Sequence, residues 1–175
     1  KKLQLMLAEV LESNEFYRHK FKEVGFNDPS DIRTLDDMGI FKRLPFTTKQ
    51  ELSADQAANP PYGTNLTYPR ETYTRIHQTS GTTGAPLRWL DTPESWEWWG
   101  RCWAAVYTAA GVGSRDRIFF AFSFGPFIGF WSAHQGAQRI GALAIPGGGM
   151  SSYQRTKAIL DHEVTVLVCT PTYSL

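Results

Sequence analysis

Apolar positions in the first sixty residues recur at helical spacing. Leu3, Leu7, Val10 and Leu11 share one face, Ser13 and Asn14 interrupt it, and Tyr17, Phe21 and Val24 resume it until Gly25. Residues three and four apart lie on one side of an α-helix, so this pattern predicts two short amphipathic helices. A third is predicted from Pro29 to Met38. In LPFTTKQEL, Thr47 followed three residues later by Gln50 has the spacing of a capping box, which predicts the start of a fourth. The turn-rich stretch NPPYGTNL, residues 59 to 66, closes this part, so residues 1–60 read as a helical segment and 61–175 as a separate α/β part.

Beyond that boundary the period changes. TYTRIH (72–77) and LRWLD (87–91) are β-prone, and the loop between them is expected to join two strands rather than open a helix. Thr92, Pro93 and Glu94 supply a cap, a proline at the first helical position and an early acid. Trp96, Trp99, Trp103, Val106, Tyr107 and Ala110 then mark one apolar side before Gly111, and Glu97 with Arg101 makes a solvated pair one turn apart. From Arg117 the order is strand RIFFAFS, helix from about Phe127 to Ile140, strand ALAIP, a GGG turn, helix Ser151 to Asp161 and strand VTVLVCT. The fold class is therefore α/β: a helical segment, a β-rich segment and a βαβαβ unit whose right-handed crossovers make a parallel sheet. Such sheets bind ligands outside the carboxyl ends of their strands. SFGPF (123–127), PGGGM (146–150) and TPTYS (170–174) fall at those ends and are expected to converge on one crevice.

Composition narrows the partners. With 18 basic and 17 acidic side chains in 175 residues, a formal charge of +1 provides no long-range field for nucleic acid or an anionic membrane. Cys102 and Cys169 are too far apart in sequence for a zinc motif. No apolar run approaches the roughly 20 residues that span a bilayer, and no charged-then-apolar leader opens the chain. The expectation is a cytoplasmic protein with neither nucleic acid nor membrane as partner. The chain opens without Met inside a helical pattern and closes on TYSL just after an apolar strand, which predicts a fragment truncated at its carboxyl end.

Candidate chemistry concentrates in HQTSGTTGAP, residues 77 to 86. Gly81 and Gly84 let backbone N–H groups turn toward an anion, and Ser80, Thr82 and Thr83 add hydroxyl donors, so residues 79–86 form a candidate phosphate loop. A Walker loop is excluded: GTTG is too short, and both the lysine and the following helix are missing. A Ser/Thr/Gly-rich hairpin loop accounts for the same composition. His19 and His162 have no partner at metal spacing; His77, just before the loop, and His134, after the strand RIFFAFS, are better placed, yet a structural hydrogen-bonding role is the favoured reading of each and no catalytic histidine is assigned.

The whole string TSGTTGAP resembles the phosphate-binding signature of the adenylate-forming acid–coenzyme A ligases. LPFTTKQEL, GPFIGFWSAHQGAQRIGALAIPGGG and CTPTYSL narrow the resemblance to the phenylacetate–coenzyme A ligase family. It implies a fragment of the large N-terminal domain of an enzyme in which ATP, with Mg2+, activates a carboxylate as acyl-AMP before coenzyme A takes the acyl group. By that resemblance Thr79, Ser80, Gly81, Thr82, Thr83 and Gly84 grip phosphates and Phe127 corresponds to the aryl-pocket phenylalanine; Gly147 and Gly148, lacking a β-carbon, would admit close approach of adenine or acyl group, and a plain αL turn accounts for them nearly as well. The family's loop lysine is missing: Ala85 precedes Pro86, Leu87 follows it, and Arg88 is the nearest cation in sequence. The resemblance places the ribose-binding aspartate and catalytic lysine beyond Leu175, so no catalytic residue is expected here and the fragment alone should not turn over. The expected partners are an aryl carboxylic acid, ATP and coenzyme A, and a homodimer is compatible with the resemblance. Two rivals stay open: a divergent ligase acting on another acid or acceptor, and a binding module that kept the fold without adenylation.

Overall fold

The computed structural model describes residues 1–31, 42, 44–81 and 84–173. The chain divides into two compact units, Lys1–Leu90 and Asp91–Leu175.

In the first unit, α1 (Lys2–Ser13) and α2 (Glu15–Glu23) form where the apolar stripe predicts them. Asn14 separates them by serving both: it ends α1, and its side chain accepts from the Tyr17 N–H to cap α2. Leu7, Phe21 and Phe26 are buried together, with Leu3, Val10, Leu11, Tyr17 and Val24 packed around them. Pro29–Asp31 is one 3-10 turn, and the remainder of the predicted third helix lies outside the described residues. Helix α3 (Lys49–Ala58) starts one residue later than its predicted cap: Thr48, not Thr47, makes the capping box, with Glu51. Glu51 also pairs with the Lys20 ammonium at 2.6 Å, so the box is anchored to α2. Strands β1 (Arg75–Gln78) and β2 (Arg88–Asp91) form a two-stranded sheet.

The second unit is the predicted alternation. Helix α4 (Pro93–Ala109) is followed by β3 (Arg117–Phe120), α5 (Ile128–Arg139), β4 (Leu143–Pro146), α6 (Ser152–Asp161) and β5 (Val166–Val168). The three strands are parallel in the order β4-β3-β5, with Phe119 opposite Ile145 on one side and Leu167 on the other. Central β3 is sealed: Ile118, Phe119 and Phe120 are all 0% exposed. Helices α4 and α5 approach until a Cβ on Gly136 would meet the Trp103 Cβ at 2.3 Å, which is why only glycine fits there. The Tyr107 hydroxyl donates to the Ala133 carbonyl across this contact. The apolar side of α4 is narrower than its sequence predicts, because Trp96, Trp103 and Tyr107 pack while Trp99 and Val106 stay exposed. Glu97 pairs with Arg101 as expected and also with Arg139 of α5.

Candidate functional site

The glycine loop runs from β1 to β2, so it is a strand-to-strand connection. Its base is closed by Thr79, whose N–H donates to the Leu87 carbonyl at 3.1 Å while its hydroxyl oxygen accepts from the Leu87 N–H at 3.0 Å. Further in, the Gly84 N–H turns back onto the Gly81 carbonyl at 3.1 Å, so that donor is used inside the loop. Gly81 has φ +67, and a Cβ there would sit 3.0 Å from both the Gly84 carbonyl oxygen and Pro86 Cγ. The left-handed backbone favours glycine, and the tight contacts add to that preference. Ser80 is exposed, and Thr82 and Thr83 lie outside the described residues.

Two cations flank this loop and are held differently. Arg88 donates to the Pro61 carbonyl at 2.8 Å and lines a cavity of 210 Å³ with Tyr62, Tyr73 and Trp89. Its backbone is clamped to α3 by the Gln56 amide, which donates to the Arg88 carbonyl and accepts from its N–H. Lys49, in the first turn of α3, lines a different cavity of 300 Å³ together with Gln50, Ser53, Gly84 and Ala85 of the loop. Its side chain is exposed and makes no hydrogen bond or ion pair among the described residues. Sequence reasoning passed over Lys49 as part of a helix start; only the fold brings it to Gly84.

In the second unit, the chain past the carboxyl end of β3 builds an aromatic cluster. Phe122 stacks on Phe130 at 3.8 Å, and Phe124 lies against Trp131 and His134. Partial burial lowers the His134 pKa, which favours the neutral ring. Phe127 is the residue before α5, half exposed, with its ring edge-on to Phe130 at 4.9 Å. Gly129 makes room for that ring, since a Cβ there would fall 2.7 Å from Phe127 Cε1.

Gly147 and Gly148 follow β4 and differ from each other. A Cβ on buried Gly147 would meet Phe119 Cζ at 2.6 Å and the Phe120 carbonyl oxygen at 2.7 Å. Packing inside the sheet thus accounts for glycine at that position. Gly148 is exposed, and its Cβ would make ordinary contacts with Phe122 and Ser123 at 3.5 and 3.7 Å. Arg155 of α6 completes the edge by donating to the Gly147 and Ala121 carbonyls, each at 3.0 Å. The loops after β3 and β4 therefore do meet, as their place at parallel strand ends predicts. His19 and His162 are exposed and His77 is buried; among the described residues no three His, Cys, Asp or Glu side chains cluster to hold a metal. No described helix is long and apolar enough to cross a membrane.

No protein-family model matches the chain. Phenylacetate-coenzyme A ligase of Escherichia coli (strain K12) is 35% identical over 174 residues, 99% of this chain and 38% of that protein. The ligase of the same name from Pseudomonas putida is 32% identical with the same coverage. The chain thus spans somewhat over a third of the length of the curated relatives it matches. Among solved structures, 2-hydroxyisobutyryl-CoA ligase in complex with 2-HIB-AMP and CoA in the thioesterification state has a TM-score of 0.89 at 30% identity, over 98% of this chain and 36% of that one. An open conformation of the same ligase has a TM-score of 0.87 at 27% identity, with the same coverage. Along nearly its whole length this chain is similar in sequence to the phenylacetate-coenzyme A ligases, and its fold matches somewhat over a third of a 2-hydroxyisobutyryl-CoA ligase.

Proposed function

We propose that this chain contributes to an acid–coenzyme A ligase that activates an aryl acid of the phenylacetate type as acyl-AMP and passes the acyl group to coenzyme A. The observation that carries the reading is the TSGTTG loop: a strand-to-strand connection, tied at its base by Thr79 and turning through a left-handed Gly81. An uncharged strand-to-strand loop rich in glycine and hydroxyl side chains has the composition that suits a polyphosphate.

In this reading the carboxylate attacks the α-phosphorus of ATP, the bond to the bridging oxygen breaks, and pyrophosphate leaves with that oxygen. Ser80, Thr82 and Thr83 would hold the β- and γ-phosphates, Thr79, Gly81 and Gly84 would shape the turn, and Lys49 or Arg88 would supply positive charge. Acyl transfer needs positioning and charge neutralisation more than a side-chain nucleophile. Mg2+ would come with the nucleotide and neutralise its charge; among the described residues no three His, Cys, Asp or Glu side chains cluster to hold it. Phe127 and the exposed backbone at Gly148 would border the acid, since an apolar wall with few polar groups suits an aryl ring.

A second acid class is favoured by one observation. The solved neighbours are described with a 2-hydroxyisobutyryl adenylate, a small branched acyl group rather than an aryl one. The test is acid-dependent ATP–pyrophosphate exchange by the gene product that carries this chain, with phenylacetate, benzoate, 2-hydroxyisobutyrate and acetate compared. Exchange fastest with phenylacetate supports the aryl reading, and preference for 2-hydroxyisobutyrate replaces it. Absence of exchange with every acid, in folded protein, refutes adenylation and leaves the binding module.

A further inference from the structure

Three loops leave the carboxyl ends of β3, β4 and β5, and one side chain touches the chain past all three ends. Helix α6 begins at a capping box in which Ser151 and Gln154 satisfy each other's backbone, which fixes where its first turn lies. One residue further on, Arg155 projects a guanidinium whose Nε donates to the Gly147 carbonyl and whose Nη1 donates to the Ala121 carbonyl, both at 3.0 Å. The same guanidinium lies over the Tyr173 ring, with its carbon 5.2 Å from the ring centroid. Ala121 is the first residue past β3, Gly147 the first past β4, and Tyr173 ends the 3-10 turn Pro171–Tyr173 that follows β5. Ser152 and Arg155, beside the Tyr173 hydroxyl, hold its pKa below the ordinary tyrosine value, and the contact of Arg155 with the ring ties the third loop to the same start of α6.

We propose that Arg155 is the positioning residue of the acyl site: through one planar fork it sets the loops after β3, β4 and β5 as a single unit, and acid affinity depends on that setting. This rests on the adenylation reading above. Arginine suits the task because a rigid guanidinium donates in two directions at once and still presents a face to an aromatic ring; a lysine ammonium is a single point on a flexible stem. Candidate acid contacts hang directly on the atoms it holds. The segment from Phe122 to Phe127 follows Ala121, and Gly148 follows Gly147. Loosening either carbonyl therefore displaces the Phe127 ring or the Gly148 backbone, while the phosphate loop belongs to the other compact unit.

The test uses Arg155→Gln and Arg155→Lys in the gene product that carries this chain. Acid-dependent ATP–pyrophosphate exchange is read as separate KM values for phenylacetate and ATP, and amide hydrogen exchange is read over residues 121–127, 147–150 and 170–173. Arg155→Gln should raise the KM for phenylacetate by about tenfold, the scale of one charge-assisted hydrogen bond, and leave that for ATP unchanged. All three loops should lose protection together. Arg155→Lys, which keeps the charge and can still reach one carbonyl, should recover part of the acid affinity. An unchanged acid KM, an equal rise in both KM values, or loosening of only one loop overturns the proposal. If the unsubstituted protein exchanges with no acid, the adenylation reading falls by itself, and joint or separate loosening of the loops, with phenylacetate binding measured by calorimetry, decides the role of Arg155.

Discussion

Gly147→Ala and Gly148→Ala are neighbouring substitutions of one methyl group, and the structure assigns them opposite outcomes. At Gly147 the new carbon would lie 2.6 Å from Phe119 Cζ, 2.8 Å from its Cε1 and 2.7 Å from the Phe120 carbonyl oxygen. The Phe119 ring is fully buried in the central strand, between Ile145 and Leu167, so the loop must give way instead. Lifting it stretches the Gly147 N–H bond to the Phe120 carbonyl and the Arg155 bond to the Gly147 carbonyl. Overpacking a tight core costs about 1–3 kcal/mol and a neutral hydrogen bond about 1 kcal/mol, so Gly147→Ala should destabilise the second unit by about 2–4 kcal/mol. At Gly148 the nearest atom to the added carbon is 3.5 Å away and the backbone is not left-handed, so stability should hold within about 0.5 kcal/mol. Urea unfolding read from the tryptophans of α4 measures both. Acid KM then separates the roles further: if ligand approaches the backbone at Gly148, Gly148→Ala raises it in a protein of normal stability. A Gly147→Ala variant with an unshifted urea midpoint would refute the steric argument, and a Gly148→Ala variant with normal stability and normal acid KM would remove Gly148 from the site.

Other expectations follow from the same atoms. Phe127→Ala should cut the preference for phenylacetate over acetate, read as a ratio of kcat/KM, by on the order of 1–3 kcal/mol, with little loss of stability because the ring is half exposed; an unchanged ratio would make Phe127 a mere neighbour of Phe130. Lys49→Gln should raise the ATP KM by about tenfold, and more than Arg88→Gln does, since the Arg88 guanidinium is engaged by the Pro61 carbonyl; the reverse order would assign the phosphate charge to Arg88. The Glu51 pKa is lowered to about 2, first by its hydrogen bond from Lys20 and then by those from Thr48. Because the folded value lies below the unfolded one, this contribution to stability is complete above the ordinary carboxylate pKa and fades as pH falls toward about 2, so Glu51→Gln should flatten the acid limb of thermal stability.

Much of this protein is written in short-range chemistry. Helices α1 and α2, the proline-started α4 and the three strands of the parallel sheet appear where periodicity and caps predict them, because a cap or an apolar stripe is satisfied by residues within a turn or two. Even the error at Thr47 is local: two adjacent threonines offer equal hydroxyls, and Thr48 wins because Glu51 at its third position can answer both its own backbone and Lys20 of α2. The TSGTTG string and its strand-to-strand setting were legible in the same way, and the family resemblance came with them. What sequence alone left undecided was where long side chains end. Arg88 is next to the loop in sequence, yet its guanidinium reaches Pro61, 27 positions back, whereas Lys49 arrives beside Gly84 only because α3 lies there. The glycines at 136 and 147 look alike in a string, and only the approach of Trp103 and of Phe119 says why each lacks a side chain. Arg155 carries no local signal at all: its partners lie 8 and 34 positions away, and they come within reach of one planar fork only when three parallel strands end side by side.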